Sequence, residues 1–400
     1  MSVKNLLEND HIYKPFSYPW AFEAWAVHER MHWLFDEVKL GDDVKDWNGK
    51  LSESERNLLT QIFRFFTQAD VEVSNCYNKK YAGIFGPTEV QMMLSGFSNR
   101  EAVHIASYSY LLDTIGMPEV EYQAFLKYDE MKAKFDYMQT FSTDNKFEIA
   151  KTMAMFGAFT EGLSLFASFA ILLNFPRFNK MKGMGQIISW SVRDETVHCD
   201  SITRLFREFV SENPELWDDK LKGELYTSCS TVVEHEDNFI DLAFEMGDIE
   251  GLTREDMKQY IRFIANRRLH QLGLKEIYDV KKNPLNWLPA ALNAPEFANF
   301  FEARVTEYGK AATVGTWEDA FELQVYTVYS KEGCPNCDKT KELFDKYMVA
   351  YNCIDLTNDK DKRIELYANY GKSTLPIILK GSKFIGGYEE LGSIFNGSST

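Results

Sequence analysis

The run from Thr152 to Phe175, TMAMFGAFTEGLSLFASFAILLNF, is long and almost wholly apolar, and Glu161 is its only charged residue. A helix of this length could span a bilayer, but no other part of the chain resembles a membrane span. A helix buried on all sides within a large bundle is therefore the preferred interpretation. A lone carboxylate at its centre is costly unless it is paired or binds a metal ion.

The spacing Glu-x-x-His, which places a carboxylate and an imidazole on one face of a helix, occurs four times. The copies are Glu8/His11, Glu29/His32, Glu101/His104 and Glu195/His198. With seven histidines in the chain, a copy by chance is expected. We interpret the first two, which lie in an aromatic amino-terminal arm, as solvated pairs. Facing helices that each carry Glu-x-x-His can hold two metal ions in a bundle core, so the last two are candidates.

Two further carboxylates complete a candidate dimetal site. Asp70 lies in the largely apolar segment FRFFTQADVEV, and Glu161 lies in the apolar run described above. Glu72 competes with Asp70 but points from a different helical face. Two metal ions in a bundle need about four carboxylates and two neutral imidazoles. We predict the ligand set Asp70, Glu101, His104, Glu161, Glu195 and His198, with Tyr108 one helical turn beyond His104.

Composition excludes several classes of partner. The chain of 400 residues carries a formal charge of −16, which argues against a general binder of nucleic acid or anionic membranes, since both need a basic surface. The amino-terminal residues lack the basic start and apolar run of a signal peptide. Of six cysteines only Cys334 and Cys337 are closely paired, as is typical of a reducing compartment. We therefore expect a soluble, cytoplasmic protein.

The sequence pattern divides the chain into three parts. Residues 1–50 suggest an irregular arm leading into helix, and residues 51–274 have helical periodicity. After Asn283 prolines accompany a short helical coda, and residues 302–322 lack a strong period, as is typical of a tail or linker. We predict a mainly α bundle over 1–300, a tail over 301–322 and a small α/β domain of the thioredoxin kind over 323–400.

The predicted α/β domain carries one redox motif. Strands are predicted over 325–329, 351–356 and 376–379, and helices from residue 334, over 364–370 and over 389–395. Cys334-Pro-Asn-Cys337 opens a helix, so the helix N-terminus and Lys331 favour the thiolate of Cys334. Cys337 would resolve the mixed disulfide. Half a zinc site is the alternative, but the domain has no histidine and only Cys353 as a further cysteine.

Four stretches resemble a known family: REAVHIASYSYLLDTIG, TEGLSLFASF, SVRDETVH and VTEYGKAATVGTWEDAF. Over residues 10–322 the chain resembles the small (β) subunit of class I ribonucleotide reductase, which implies a ferritin-like helical bundle. The resemblance implies that the six predicted ligands hold a diiron, dimanganese or mixed centre, and that Tyr108 carries a radical. It also implies a β homodimer and a large α subunit as partner.

The same resemblance implies a route for the radical to the α subunit. The residues of this route are Trp33, Asp194 and Tyr308, and His104 links them to the metal centre. Other tryptophans near Trp33 that could take its place are Trp20, Trp25 and Trp47. The segment Trp317–Phe321, WEDAF, corresponds to the peptide that docks into the α subunit. Apolar neighbours such as Phe169 would protect the radical from solvent.

The segments YSKEGCPNC, Thr374-Leu375-Pro376 and Gly386-Gly387-Tyr388 resemble glutaredoxin. The resemblance implies that Pro376 follows a cis peptide bond and lies against the active cysteines. It implies that glutathione binds along Lys331, Thr374, Leu375, Pro376, Gly387 and Tyr388. The chain departs from the commonest form of the family, because Asn336 replaces a tyrosine and Leu375 replaces a valine. These changes leave a dithiol mechanism intact.

The two resemblances together suggest a radical-generating subunit of ribonucleotide reductase fused to its own reductant. Reduction of ribonucleotides oxidises a cysteine pair of the α subunit, and a fused glutaredoxin would have a high effective concentration there. Two alternatives stay open. One is a ferritin-like dimetal oxidase that acts on a small substrate, and the other is a non-catalytic metal-binding bundle that serves as an adaptor for a glutaredoxin.

Overall fold

The structure is a computed structural model, and it describes residues 5–9, 14–289, 326–347, 349, 351–381 and 383–395. The predicted tail, with Tyr308 and Trp317–Phe321, lies outside the described residues, as does most of the predicted coda. Within the described residues the chain forms one helical unit and one α/β unit. The predicted fold class, a mainly α bundle followed by a small α/β domain, is confirmed.

Long helices make up most of the helical unit. The α-helices of its described residues are α1 (Pro19–Arg30), α2 (Gly41–Gly49), α3 (Glu53–Asn75), α4 (Thr88–Ile115), α5 (Asp129–Gln139), α6 (Lys146–Met153), α7 (Leu165–Arg177), α8 (Lys182–Glu212), α9 (Asp219–Ala243) and α10 (Arg254–Gln271). Segments of π-helix lie at Cys76–Tyr81 and Ala154–Ser164, and short 3-10 turns lie at Phe35–Glu37, Glu119–Lys127 and Pro214–Leu216.

The amino-terminal arm is more regular than the sequence pattern predicts. The expectation of an irregular segment over residues 1–50 is only partly right, because α1 and α2 lie within it. Proline at the first position of α1 fixes a helical φ, and Trp20 and Ala21 are buried. α1 packs against α4 at Gly96, where an added Cβ would lie 3.1 Å from Cδ1 of Trp25. Tertiary packing therefore stabilises a helix whose local pattern is weak.

Helices begin and end at the caps and turns that the sequence predicts. Ser52 and Glu55 form a capping box at the start of α3, with reciprocal hydrogen bonds of 3.2 and 2.9 Å. Gly116 follows α4 with a φ of 76°, a left-handed conformation that glycine adopts without strain. The connections predicted at 86–87 and 213–214 also lie between helices.

The apolar run is part of one continuous helical stretch, Lys146–Arg177. Its length and composition could suit a membrane span, but its apolar window is fully buried inside the protein, as the preferred interpretation of a core helix requires. The π-helical segment Ala154–Ser164 lies in the middle of this stretch and contains Glu161. Because π-helical turns within helices are frequent at functional sites, this segment indicates that Glu161 is a candidate functional residue.

The α/β unit is a four-stranded sheet in the order β2-β1-β3-β4. Its strands are β1 (Tyr326–Ser330), β2 (Tyr351–Asp355), β3 (Ile377–Lys380) and β4 (Lys383–Gly386), and its helices are α11 (Pro335–Lys346), α12 (Lys360–Tyr370) and α13 (Tyr388–Phe395). β1 pairs in parallel with β2 and antiparallel with β3, which pairs antiparallel with β4. The sequence pattern did not predict β4, a short edge strand that begins with an exposed lysine and ends in a glycine.

We predict that Gly157→Ala lowers the free energy of unfolding by about 1–3 kcal/mol, because a Cβ at this position would lie 2.7 Å from Cβ of Ile202 on α8. The matched control is Gly223→Ala on α9, where the site is exposed and nothing lies within 4 Å. This control should gain about 0.5–1 kcal/mol from helix propensity. Chemical denaturation of both variants measures the two effects, and equal effects would contradict close packing at Gly157.

Candidate metal centre and thiol site

Six buried side chains converge in the middle of the helical unit, and each is at most 1% exposed. They are Asp70 on α3, Glu101 and His104 on α4, Glu161 on the π-helical segment, and Glu195 and His198 on α8. Ligand atoms of Glu101, Glu161, Glu195 and His198 lie within 4.8 Å of one another, and the same holds for Asp70, Glu101 and His104. Glu101 belongs to both groups, as in two adjacent cation sites that share a carboxylate. The structure thus brings together all six predicted ligands, which we name the carboxylate–imidazole cluster.

Polar atoms of the carboxylate–imidazole cluster lack the hydrogen bonds that buried groups normally make. Both carboxylate oxygens of Glu101 and of Glu195 have no hydrogen-bond partner, and neither does Nδ1 of either histidine. Nδ1 of His198 lies 3.0 Å from Oε1 of Glu101, and Nδ1 of His104 lies 3.0 Å from Oε1 of Glu195. These pairs are close without hydrogen-bond geometry. Facing lone pairs at such distances suit a shared cation, so the residues fit a pair of metal ions.

Burial makes it costly for all the carboxylates of the cluster to be ionised together. Burial raises the pKa of Asp70 well above its usual range, and the charge of Glu101 adds to the rise. Burial also raises the pKa of Glu161 to about 8, although its contact with His198 favours ionisation. Bound cations would remove this penalty, because positive charge favours ionised carboxylates and displaces their protons.

The choice between Asp70 and Glu72 is supported by their different surroundings. Glu72 accepts hydrogen bonds from Nε2 of Gln68 at 2.9 Å and from Nε2 of Gln139 at 2.7 Å. Oδ2 of Asp70 is buried and has no partner. Asp70 is therefore free to bind a metal ion, whereas the carboxylate of Glu72 is already satisfied.

Tyr108 lies one helical turn from His104, and the centres of the two rings are 6.3 Å apart. Its hydroxyl donates a hydrogen bond of 2.7 Å to Oγ of Ser191. Its ring contacts Phe66, which in turn contacts Phe169. Burial raises the pKa of Tyr108 well above its usual value, so the phenol keeps its proton at neutral pH.

A buried hydrogen-bonded group connects His104 to Trp33. Oδ2 of Asp194 lies 3.2 Å from Nε2 of His104 and accepts a hydrogen bond of 2.7 Å from Nε1 of Trp33. The same oxygen accepts a hydrogen bond of 3.0 Å from Arg100. Although burial opposes ionisation of Asp194, His104 and Arg100 hold the pKa of this carboxyl well below its usual range. The buried carboxylate is therefore an anion with three donors around one oxygen.

Several contacts of the cluster were not predicted from the sequence. Tyr77 donates a hydrogen bond of 2.7 Å to Oε1 of Glu161, and Nε2 of His28 lies 3.0 Å from Nε2 of His198. Tyr77 could have been found, because it lies two helical turns after Asp70 on the same face. His28 lies on α1, outside any motif, and nothing in the sequence links it to His198. Arg100 directly precedes Glu101, but its sequence position alone does not reveal its contact with Asp194.

The two cysteines of the α/β unit lie where β1 leads into α11, and they are joined as a disulfide. Cys334 is the N-cap of α11, and its Sγ accepts the backbone N–H of Cys337 at 3.3 Å. Cys334 is 6% exposed and Cys337 is 0% exposed, so Cys334 is the more accessible of the two. The peptide bond between Leu375 and Pro376 is cis, and the carbonyl oxygen of Leu375 lies 3.5 Å from Sγ of Cys334.

The residues predicted to bind glutathione lie in segments around the disulfide. Lys331 and Thr374 are exposed, and Gly387 and Tyr388 are partly exposed at the start of α13. The N–H of Gly387 donates a hydrogen bond of 2.9 Å to Glu390. Among the described residues, the clusters that could hold a metal ion lie in the helical unit, and neither includes the two cysteines.

Each of the two units matches the model of a known protein family. The model of the family "Ribonucleotide reductase, small chain" matches residues 11–284, and the glutaredoxin model matches residues 326–385. A probable ribonucleoside-diphosphate reductase small subunit of Invertebrate iridescent virus 3 is 45% identical over 330 residues, covering 78% of this chain and 88% of the viral protein. Subunit beta of the enzyme from Chlamydia pneumoniae is 30% identical over 315 residues, covering 75% and 90%.

Solved structures share the fold of the helical unit. A putative class I ribonucleotide reductase from Bacillus halodurans matches with a TM-score of 0.63 and 26% identity, covering 68% of this chain and 99% of that chain. The R2 subunit from Clostridium botulinum matches with a TM-score of 0.68 and 23% identity, covering 72% and 94%. The chain therefore belongs to the ribonucleotide reductase small-chain family, and a glutaredoxin domain follows its small-chain region.

Proposed function

We propose that the helical unit generates and stores a radical on Tyr108 and passes it to a large α subunit, which reduces ribonucleotides to deoxyribonucleotides. Small chains of this family work with a large subunit and form dimers. The observation that carries the proposal is the buried carboxylate–imidazole cluster with its unpartnered atoms, one helical turn from a buried phenol.

In this proposal the six side chains of the cluster are the metal ligands. Asp70, Glu101 and His104 would hold one ion, and Glu161, Glu195 and His198 would hold the other, with Glu101 near both. Two redox-active ions bound there would supply, with oxygen or a reduced oxygen species, the oxidising equivalent for the phenol. Carboxylate and imidazole ligands suit both iron and manganese, so the proposed centre is iron, manganese or a mixed pair.

Tyr108 would lose one electron and its phenolic proton together, which leaves a neutral radical. A charged form of the side chain is disfavoured, because the ring is 3% exposed in apolar surroundings. The hydrogen bond to Ser191 fixes the hydroxyl and gives the departing proton a polar neighbour. Phe66 and Phe169 exclude water, which would otherwise quench the radical.

The radical would leave through His104, Asp194 and Trp33. Asp194 holds the indole N–H of Trp33 on one side and faces His104 on the other, which keeps the three groups in contact. Because these three groups are held in contact, loss of an electron from the indole can be accompanied by movement of a proton along the same hydrogen bonds. Tyr308 would continue the route, and Trp317–Phe321 would dock into the α subunit.

The glutaredoxin domain would re-reduce the α subunit after each turnover. The thiolate of Cys334 would attack the disulfide of the partner, and Cys337 would release it. Glutathione would then reduce the domain, binding along Lys331, Thr374, Leu375, Pro376, Gly387 and Tyr388. Because the domain is fused to the small chain, its concentration at the bound α subunit would be high. We place the domain limits at 1–300, 301–322 and 323–400 and the protein in the cytoplasm.

Two alternative functions make different predictions. A ferritin-like dimetal oxidase would use the same cluster but would need no contact between Asp194 and Trp33. A non-catalytic metal-binding bundle that serves as an adaptor for glutaredoxin would form no radical and would not need Tyr108. The row of contacts from His104 to Trp33 favours the radical function over both alternatives.

We predict that the metal-loaded, oxygen-exposed chain gives a tyrosyl signal in electron paramagnetic resonance and that Tyr108→Phe abolishes it. Tyr110→Phe, two residues along the same helix and only partly buried, is the matched control and should keep the signal. The buried Tyr77 is the competing source, because its hydroxyl contacts Glu161. A signal that survives in Tyr108→Phe and disappears in Tyr77→Phe would contradict the assignment.

Trp33→Phe should leave radical formation intact but reduce nucleotide reduction by a 1:1 mixture with an α subunit to background. Phenylalanine lacks the indole N–H that donates a hydrogen bond to Asp194, so the route is interrupted after the radical has formed. The control is Trp47→Phe, since Trp47 packs on Phe63 away from this route. Equal turnover of the Trp33 and Trp47 variants would show that the radical leaves by another path.

Cys334→Ser should abolish glutathione-dependent disulfide reduction, because it removes the attacking thiolate. Cys337→Ser should retain the first step and accumulate a mixed disulfide with glutathione, which mass spectrometry detects. Cys353→Ser, at an exposed cysteine on β2, should retain full activity. Undiminished activity of the Cys334 variant would show that the nucleophile is misassigned.

A further inference from the structure

The two histidines of the cluster have different partners on their outer nitrogens. Both direct Nδ1 at the carboxylates, which leaves Nε2 on the far side of each ring. Nε2 of His104 lies 3.2 Å from Oδ2 of Asp194, which is an anion. Nε2 of His198 lies 3.0 Å from Nε2 of His28 on α1. Burial holds the pKa of His28 well below its usual value, so this side chain is uncharged. The two candidate ligands are therefore held in place by groups of different charge.

The position of the proton between His28 and His198 follows from the geometry. A histidine that binds a metal ion through Nδ1 must present a lone pair there, so its proton lies on Nε2. Nε2–H of His198 then donates to Nε2 of His28, which must be the acceptor. The proton of neutral His28 consequently lies on its Nδ1. One hydrogen bond thus fixes the tautomer of both rings.

The surroundings of His28 support a specific role for its imidazole. The side chain is 1% exposed and packs on Phe97, with 5.0 Å between ring centres. Its Nδ1 has no hydrogen-bond partner, so the buried ring carries an uncompensated polar atom. An apolar residue at this position would avoid the cost of burying an unpartnered polar atom. The histidine ring instead makes a hydrogen bond with His198. α1 lies close to α4 beside His28, since a Cβ at Gly96 would lie 3.1 Å from Cδ1 of Trp25.

We propose that His28 is a positioning residue that orients His198 and thereby tunes one of the two metal positions separately from the other. This inference rests on the proposed function, because it takes His198 as a metal ligand. Outer partners of metal-bound histidines fix the ring and adjust its strength as a donor. The charged partner Asp194 acts on His104, and the neutral partner His28 acts on His198. Loss of His28 should therefore weaken one metal-binding step and spare the other.

The experiment is an anaerobic titration of the metal-free full-length chain with Mn(II), in which the resonance of free Mn(II) reports the unbound ion. The wild-type chain should bind two equivalents. His28→Phe, which keeps a ring but removes the acceptor, should weaken one of the two binding constants about 10–100-fold and leave the other unchanged. His28→Gln, whose Oε1 can accept from Nε2–H of His198, should restore most of the lost affinity. His28→Leu should repeat the selective loss if the phenylalanine variant does not fold.

The matched control is His32→Phe, an exposed histidine four residues further along the same arm, and it should bind both ions with wild-type affinity. Unchanged binding by both the phenylalanine and leucine variants at position 28 would overturn the inference. Equal weakening of both steps would also overturn it, because it would indicate a general loosening of the bundle. A wild-type chain that binds no Mn(II) with these ligands would instead overturn the proposed metal centre.

Discussion

Several carboxylates buried together in an apolar core can persist only if positive charge neutralises them. Asp70, Glu101, Glu161 and Glu195 meet in such a core, with two imidazoles and with many oxygen atoms that have no hydrogen-bond partner. Protons can neutralise the cluster partly, as the raised pKa of Asp70 and Glu161 indicates. Metal ions would coordinate the same oxygens and neutralise the cluster completely. The surrounding helices hold the side chains in positions that suit such binding.

The helices meet this requirement through close contacts at small residues and through local departures from ideal geometry. The π-helical segment Ala154–Ser164 carries Glu161 into the cluster, and Gly157 lets that segment pack directly on α8. Gly96 allows α1 to approach α4, and α1 carries His28, which contacts His198. Trp33, beyond the end of α1, lies beside His104. One side of the cluster thus leads to a redox-active indole, and the other side ends at a neutral imidazole. In the proposed function, radical transfer and metal binding would depend on separate outer partners.

The parts of the site predicted from the sequence are those in which local spacing determines geometry. Glu101 with His104, and Glu195 with His198, share a helical face by spacing alone, and an isolated Glu161 in an apolar helix required a partner. The cis bond before Pro376 was predicted from resemblance to glutaredoxin. Contacts between distant segments were not predictable. His28 reaches His198 across 170 residues of sequence, and no local pattern specifies that contact.

The proposed function depends on the binding of two metal ions by the cluster in the core of the helical unit. The most direct measurement is anomalous X-ray diffraction from crystals of the full-length chain grown with Fe(II) or Mn(II). We expect two anomalous peaks, one among Asp70, Glu101 and His104 and one among Glu161, Glu195 and His198, with Glu101 beside both. Ordered metal at other places only, or a cluster whose oxygens are bridged by water alone, would contradict this expectation.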